Sequence, residues 1–274
     1  MRRKGDVVAD LARARAAIRQ GAHINETELP RHTAISIYRN PRMFFRSYRE
    51  MEKRFKVYVY EEGEVPVVHS GPCKDIYTVE GRFIHEIEHG GSKFRTKDPH
   101  KAHAFFLPFS VVMMVTYLYK PLTYDLSPLR NFVSDYVNVV SERYPFWNSS
   151  NGADHFMLAC HDWGPHASEG NKYLYNTSMR VLCNANSSEG FNPQKDVSLP
   201  EINLVSGDIP PALLAVQPGH HRPHLAFFAG GVHGPVRPKL LRHWKGKDPD
   251  LLVHEYLPKG LDYYQLMTQS RFIR

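Results

Sequence analysis

The chain has 274 residues, 42% of them hydrophobic and 12% aromatic, which is enough for a sizeable core in one large or two smaller domains and too apolar for a disordered segment. Its 35 basic and 28 acidic residues give a net charge of +7, a balance that favours anionic partners such as phosphates, acidic sugars or headgroups. The basic residues are spread along the chain without a finger, RNP-like or helix-turn-helix pattern, so nucleic acid is not an expected partner.

In chain order, "DVVADLARARAAIRQG" (6–21) has the alanine-rich composition of a helix, with Gly21 as its stop, and reads with the linker after it as a stem over 1–40. Asn40-Pro41 is a cap followed by a first-turn proline and opens a second helix, with Phe44, Tyr48, Met51 and Phe55 on one stripe. "KVYVY" (56–60) is a strand, "GRFIHEIEHG" (81–90) a helix and "AHAFFLPF" (102–109) a buried strand. Ser127-Pro128 caps a helix whose inward stripe is Leu129, Phe132, Val133, Tyr136, Val137 and Val140, and "HFMLAC" (155–160) is the next strand. Strands separated by helices imply a parallel sheet covered on both faces, with ligands beyond the carboxyl ends of its strands.

Between about 184 and 223 the composition turns to Asn, Ser, Gly and Pro, which marks a domain boundary, with one Rossmann-like domain over 41–221. A βαβα unit then begins: strand "HLAFFAG", turn "GGVHG", helix "PVRPKLLRHWKG", strand "LLVHEYL" and helix "LDYYQLMTQSRF". Two strands and two helices do not make a covered sheet, so 222–274 reads as the incomplete start of a second Rossmann-like domain. The most apolar stretch, 104–119, is shorter than a membrane span and contains Pro108 and Ser110. The cysteines Cys73, Cys160 and Cys183 leave the compartment open, whereas four sequons, at Asn25, Asn148, Asn176 and Asn186, favour a lumenal or secreted protein.

Two places carry chemistry. In "ADHFMLACHDWGPH" the strand is bracketed by Asp154 and His155 at its start and by His161 and Asp162 at its end, groups able to take a proton from a hydroxyl. The competing reading has Asp154 and His155 capping the strand and Asp162 making an Asx turn over Trp163-Gly164. His161 and His166, with His100, His103, His220, His221, His224 and His233, raise metal-dependent hydrolysis as an alternative, but the spacing of a metal site is absent and no metal is expected. The second place is the turn "FFAGGVHGP". There Gly230, Gly231 and Gly234 let backbone N–H groups approach a phosphate at a helix start, and Arg237 adds a fixed charge that suits a diphosphate. Asp248-Pro249-Asp250 precedes a strand and reads as a turn, not a metal-holding pair.

The strings "KVYVYEEGEVPVVHSGPCKDIYTVEGRFI", "FFLPFSVVMMV", "PFWNSSNGADHFMLACHDWGPHAS", "RVLCNANSSEGFNPQKDVSLPE", "LAFFAGGVHGP" and "HEYLPKGLDYYQLM" resemble the plant exostosin-like glycosyltransferases of family 47, over nearly the whole chain from Phe44 to Phe272. The resemblance implies a GT-B fold and inverting transfer from a nucleotide sugar, usually a UDP-sugar, to a cell-wall or proteoglycan-type polysaccharide, with no separate cofactor. It implies a type II Golgi membrane protein, lumenal and anchored by a segment absent from this chain, that forms homo- or hetero-oligomers with related transferases. The first domain would be the acceptor side, with Asp162 the first candidate base, His161 the second and Asp154 the reserve. The second would be the donor side, where the glycine turn and Arg237 stabilise the departing diphosphate in place of a metal. The family pattern continues beyond "LMTQSRF" into a nucleotide-sugar grip that "IR" does not supply. The expectation is therefore a truncated form with little activity of its own, or a non-catalytic glycan-binding or regulatory fragment.

Overall fold

The computed structural model describes residues 4–20, 38–214 and 221–273. The chain divides into two compact units, Met1–Val205 and Ser206–Arg274, and both are α/β. In the first, six strands form one sheet: β1 (Val57–Val59), β2 (Arg95–Thr96), β3 (Ala104–Phe106), β4 (His155–Ala159), β5 (Met179–Leu182) and β6 (Val197–Ser198). Their order is β2-β1-β3-β4-β5-β6 and every pairing is parallel. The strand order reverses between β1 and β3, which is where a parallel sheet of this kind opens a crevice beyond its carboxyl ends.

The helices of this unit are α1 (Lys4–Gln20), α2 (Pro41–Arg54), α3 (Thr78–Glu88), α4 (Val111–Tyr117), α5 (Ser127–Arg143), α6 (Pro145–Ser150), α7 (Gly164–Ser168) and α8 (Lys172–Asn176). Helix α5 buries Leu129, Val133, Tyr136, Val137 and Val140, and Phe132 packs at the margin of the same core. Its N-cap position is Leu126, and Asp125 just before it accepts from the Ser127 N–H at 2.9 Å; Ser127, expected as the cap, stands inside the helix. Trp147, Met157, Ala159 and Leu174 complete that core, and the opposite face packs Val57, Val59, Phe106 and Leu158 against Val79, Ile84 and Ile87 of α3.

Asn40 caps α2 as its sequence implies, accepting from Met43 N at 3.1 Å. The stripe Phe44, Tyr48 and Met51 is nevertheless exposed, and the buried side chain of α2 is Glu50. Glu50 holds Arg46 and Arg54, and Arg54 reaches Asp10 of α1, so ion pairs link the two helices. The expected helix stop at Gly21 lies outside the described residues.

Two strands, β5 and β6, are absent from the chain-order reading. β5 is hidden because one of its two buried positions, the other being Leu182, is Arg180, a residue that ordinarily marks a surface. Asp196 takes it bidentately, Ser168 Oγ and the Gly190 carbonyl accept two further bonds, and the Tyr175 ring lies 4.7 Å from its guanidinium. β6 is only two residues long and both are exposed.

The second unit holds α9 (Pro211–Leu214), β7 (His224–Ala229), α10 (Val236–Trp244), β8 (Leu251–His254), α11 (Tyr263–Gln269) and β9 (Ser270–Ile273). Its sheet has three parallel strands in the order β8-β7-β9. The third strand corrects the expectation of a helix running to Phe272. Ser270 closes α11 with its hydroxyl on the Leu266 carbonyl, and its extended backbone (φ −112°, ψ 142°) turns the chain straight into β9. Asp248 accepts from Asp250 N, so that pair is a turn as read.

Candidate functional site

β4 separates the four acid and histidine residues that bracket it. Asp154 and His155 stand at its amino end, where His155 is fully buried and bonded to Tyr60 Oη at 2.7 Å and to Asp154 Oδ1 at 2.8 Å. Ser150 Oγ donates to the same carboxylate oxygen at 2.6 Å. Burial pushes the Asp154 carboxyl up, but the bonds from His155 and Ser150 outweigh it and hold the carboxyl below the usual range. Tyr60, Phe105 and Trp147 surround the His155 ring. This polar chain runs from the half-exposed Asp154 carboxylate into the aromatic core.

His161 and Asp162 stand beyond the carboxyl end of β4, with Asp162 exposed and His161 half-buried. Trp163 N donates to His161 Nδ1 at 3.0 Å, and burial pushes the imidazole pKa down against the opposing charge of Asp162. A neutral ring that accepts at Nδ1 carries its proton on Nε2, so its open nitrogen is a donor. Its rings neighbours are Tyr77 at 5.0 Å and Trp163 at 5.1 Å between centroids, and Tyr119 continues the row at 4.8 Å from Trp163.

What holds this rim is Glu80, a residue that the sequence did not single out. It is completely buried in the first turn of α3. One carboxylate oxygen accepts from Cys160 N at 2.7 Å and His161 N at 3.1 Å, and the other accepts from Ser110 Oγ and from Val112 N at 3.1 Å. A single carboxyl thus ties the starts of α3 and α4 to the end of β4. Burial pushes its pKa up while these four donors pull it down, and burial prevails. The sequence does contain a pointer: Glu80, Ile84 and Ile87 share the i, i+4, i+7 spacing of the buried stripe of α3, so Glu80 occupies a core position.

The loop after β1 is clamped onto the same turn. A Cβ on Gly81 would lie 2.3 Å from the Gly71 carbonyl oxygen, so only glycine admits this approach. Cys160 and Cys183, at the ends of β4 and β5, form a disulfide, and Asn184 Nδ2 donates to the Asp162 carbonyl at 3.1 Å. An isolated bridge pairs Ile202 with Tyr77 and brings the exposed Glu201 to the rim. Partial burial and the charge of Asp162 push the Glu201 carboxyl up, and burial, Asp162 and Glu201 push the Tyr77 phenol up.

In the second unit Gly230, Gly231 and Gly234 form the turn between β7 and α10, beyond the carboxyl end of β7, with Gly234 in the left-handed region at φ +65°. Arg237 Nη1 donates to the Gly231 carbonyl at 3.1 Å, and its guanidinium lies 5.9 Å from the Phe228 ring centre. Arg237 thus braces the turn from the first turn of α10. Among the described residues no three His, Cys, Asp or Glu side chains form a group able to hold a metal ion, and no helix is long and apolar enough to cross a membrane.

Comparison with known proteins gives a consistent result. The family description "Exostosin GT47 domain" matches residues 51–273. In Arabidopsis thaliana the probable glycosyltransferase At5g25310 is 57% identical over 99% of this chain and 57% of its own length, and At5g03795 is 54% identical over 96% of this chain and 50% of its own. At3g07620, also named a probable glycosyltransferase, is 51% identical over 99% of this chain and 59% of its own length. The chain spans a little over half the length of these relatives.

Proposed function

Because the chain belongs to the exostosin GT47 family, we propose that it takes part in glycosyl transfer from a nucleotide sugar to a polysaccharide hydroxyl, with Asp162 as the base. The observation that carries this reading is the rim of β4. Asp162 is exposed beyond the carboxyl end of a parallel strand, on backbone fixed by the buried Glu80.

The acceptor hydroxyl loses its proton to the Asp162 carboxylate as its oxygen attacks the anomeric carbon from the face opposite the leaving diphosphate. One displacement of that kind inverts the anomeric centre. His161, whose open nitrogen is a donor, orients the acceptor by a hydrogen bond. The acceptor side is 41–221 and the donor side 222–274. The peptide N–H groups of the 230–234 turn meet the diphosphate, and Arg237 keeps that turn in place. His155, closed in by aromatic rings, and Asp154, whose carboxylate is already engaged by His155 and Ser150, are assigned to folding and not to proton transfer.

A UDP-sugar is the expected donor. Relatives named as probable glucuronoxylan glucuronosyltransferases, 40% and 36% identical over about a quarter of this chain, make a cell-wall glycan the first acceptor class to examine. The disulfide supports an oxidising compartment, in keeping with a Golgi lumenal, membrane-anchored enzyme that associates with related transferases. The test is transfer of radiolabelled sugar from a panel of nucleotide sugars to cell-wall oligosaccharides. It is run on this chain and on a form extended to the length of its relatives. Transfer with inversion supports the reading, and absence of transfer and of nucleotide binding from both forms removes it.

A further inference from the structure

Four half-buried rings run along the carboxyl rim of the first sheet: Tyr77, His161, Trp163 and Tyr119, with centroid steps of 5.0, 5.1 and 4.8 Å. Two exposed carboxylates, Asp162 and Glu201, stand among them. Asp162 lies between His161 and Trp163 in the chain, and Glu201 is adjacent to the residue that pairs with Tyr77. The two lie close enough for Asp162 to push the Glu201 carboxyl up and for both to act on the Tyr77 phenol. Among the described residues neither carboxylate takes part in an ion pair or accepts a side-chain hydrogen bond.

The same unit has a contrasting surface at the other end of its strands. Lys53, Lys56, Arg95, Lys97 and Lys101 line a groove of 530 Å³. These five basic side chains stand away from the rim, which carries the two open carboxylates.

Ring faces bury the C–H side of a sugar, and open carboxylates accept its hydroxyl protons. A second carboxylate brought against Asp162 and Glu201 meets like charge without a compensating cation, whereas an uncharged sugar does not. We propose that this rim binds an uncharged glycan chain, its sugars lying on Trp163 and Tyr77, and that Glu201 is the residue that discriminates against uronate-bearing acceptors. The acceptor role of the rim rests on the transferase reading above; the binding preference is a property of the surface and is read without catalysis.

The experiment is equilibrium binding at low ionic strength of neutral xylo-, gluco- and manno-oligosaccharides and of an oligogalacturonate of equal length. The wild-type chain is compared with Trp163→Leu and Glu201→Gln. Because the basic groove can take up an acidic oligosaccharide, only binding abolished by Trp163→Leu is assigned to the rim, and circular dichroism with thiol titration verifies that both variants fold with the disulfide formed. At least one neutral oligosaccharide should bind the rim about tenfold more tightly than the oligogalacturonate, and Glu201→Gln should narrow that gap severalfold. The gap should also shrink as salt is added. Equal or tighter rim binding of the oligogalacturonate overturns the proposal. So does neutral binding that survives Trp163→Leu or is absent at millimolar concentration, or a ratio unmoved by Glu201→Gln. Neutral glycan binding without transfer from any nucleotide sugar keeps this inference and removes the transferase reading; efficient transfer to uronate acceptors does the reverse.

Discussion

At Glu80 four donors converge on a carboxyl that has no contact with water. Removing it strands two helix-start groups and two N–H groups at the end of β4, so Glu80→Ala should lower the unfolding free energy by about 3 kcal/mol or more. Glu80→Gln keeps one acceptor oxygen and can satisfy only one of the two pairs, so its loss should be intermediate. Urea denaturation of the two variants measures this, and a change below about 1 kcal/mol for Glu80→Ala contradicts the role given to the carboxyl. The chemistry at this scale was half legible. Asp162 and His161 stand out because acid and imidazole directly follow an apolar strand. Glu80 and Glu201 do not, because one is defined by a helix phase one turn earlier than "GRFIHEIEHG" suggests and the other by a bridge spanning 125 positions, from Tyr77 to Ile202.

At the scale of elements, the parallel strands β1, β3 and β4 and the helix α5 follow from apolar runs and the 3.6-residue stripe. β5 does not, since one of its two buried positions is a charge whose partner, Asp196, lies beyond the end of the strand. Arg180→Ala leaves Asp196 buried with Lys195 as its remaining cation, and the expected loss is about 3–5 kcal/mol in thermal or urea unfolding. A second element has a pH signature. His69, in the loop after β1, bonds Glu88 at the end of α3 at 2.9 Å, and that bond, opposed by burial, raises the imidazole pKa. Because the folded value lies above the unfolded one, this contribution is fully present below the unfolded value of about 6.5 and fades as pH rises through the folded one. The difference in melting temperature between wild type and His69→Gln should therefore be larger near pH ~6 than near pH ~8. A difference that grows with pH contradicts the assignment.

For the whole molecule, the α/β class and a second parallel sheet were legible in the alternation of strands and helices. The three-stranded form of that sheet was not, because Ser270 converts what reads as a continuing helix into β9. The first unit is polarised along its strands, with a basic groove at their amino ends and acids and rings at their carboxyl ends. The Cys160–Cys183 disulfide closes a 23-residue separation at that carboxyl rim. Its loss in a Cys160→Ala/Cys183→Ala double variant should cost about 3 kcal/mol by chain entropy and loosen the backbone that carries His161 and Asp162. Amide exchange at 160–164, compared between oxidised protein and the double variant, reads the second effect, and unchanged protection there counts against it.

In the proposed reaction Asp162 removes the proton from the acceptor. This step is tested most directly by the transfer rate of Asp162→Asn under saturating nucleotide sugar, measured with donor affinity in the same active form of the protein. Turnover should fall by about a hundredfold or more with donor affinity unchanged. A near-normal rate contradicts it and moves the base elsewhere on the rim.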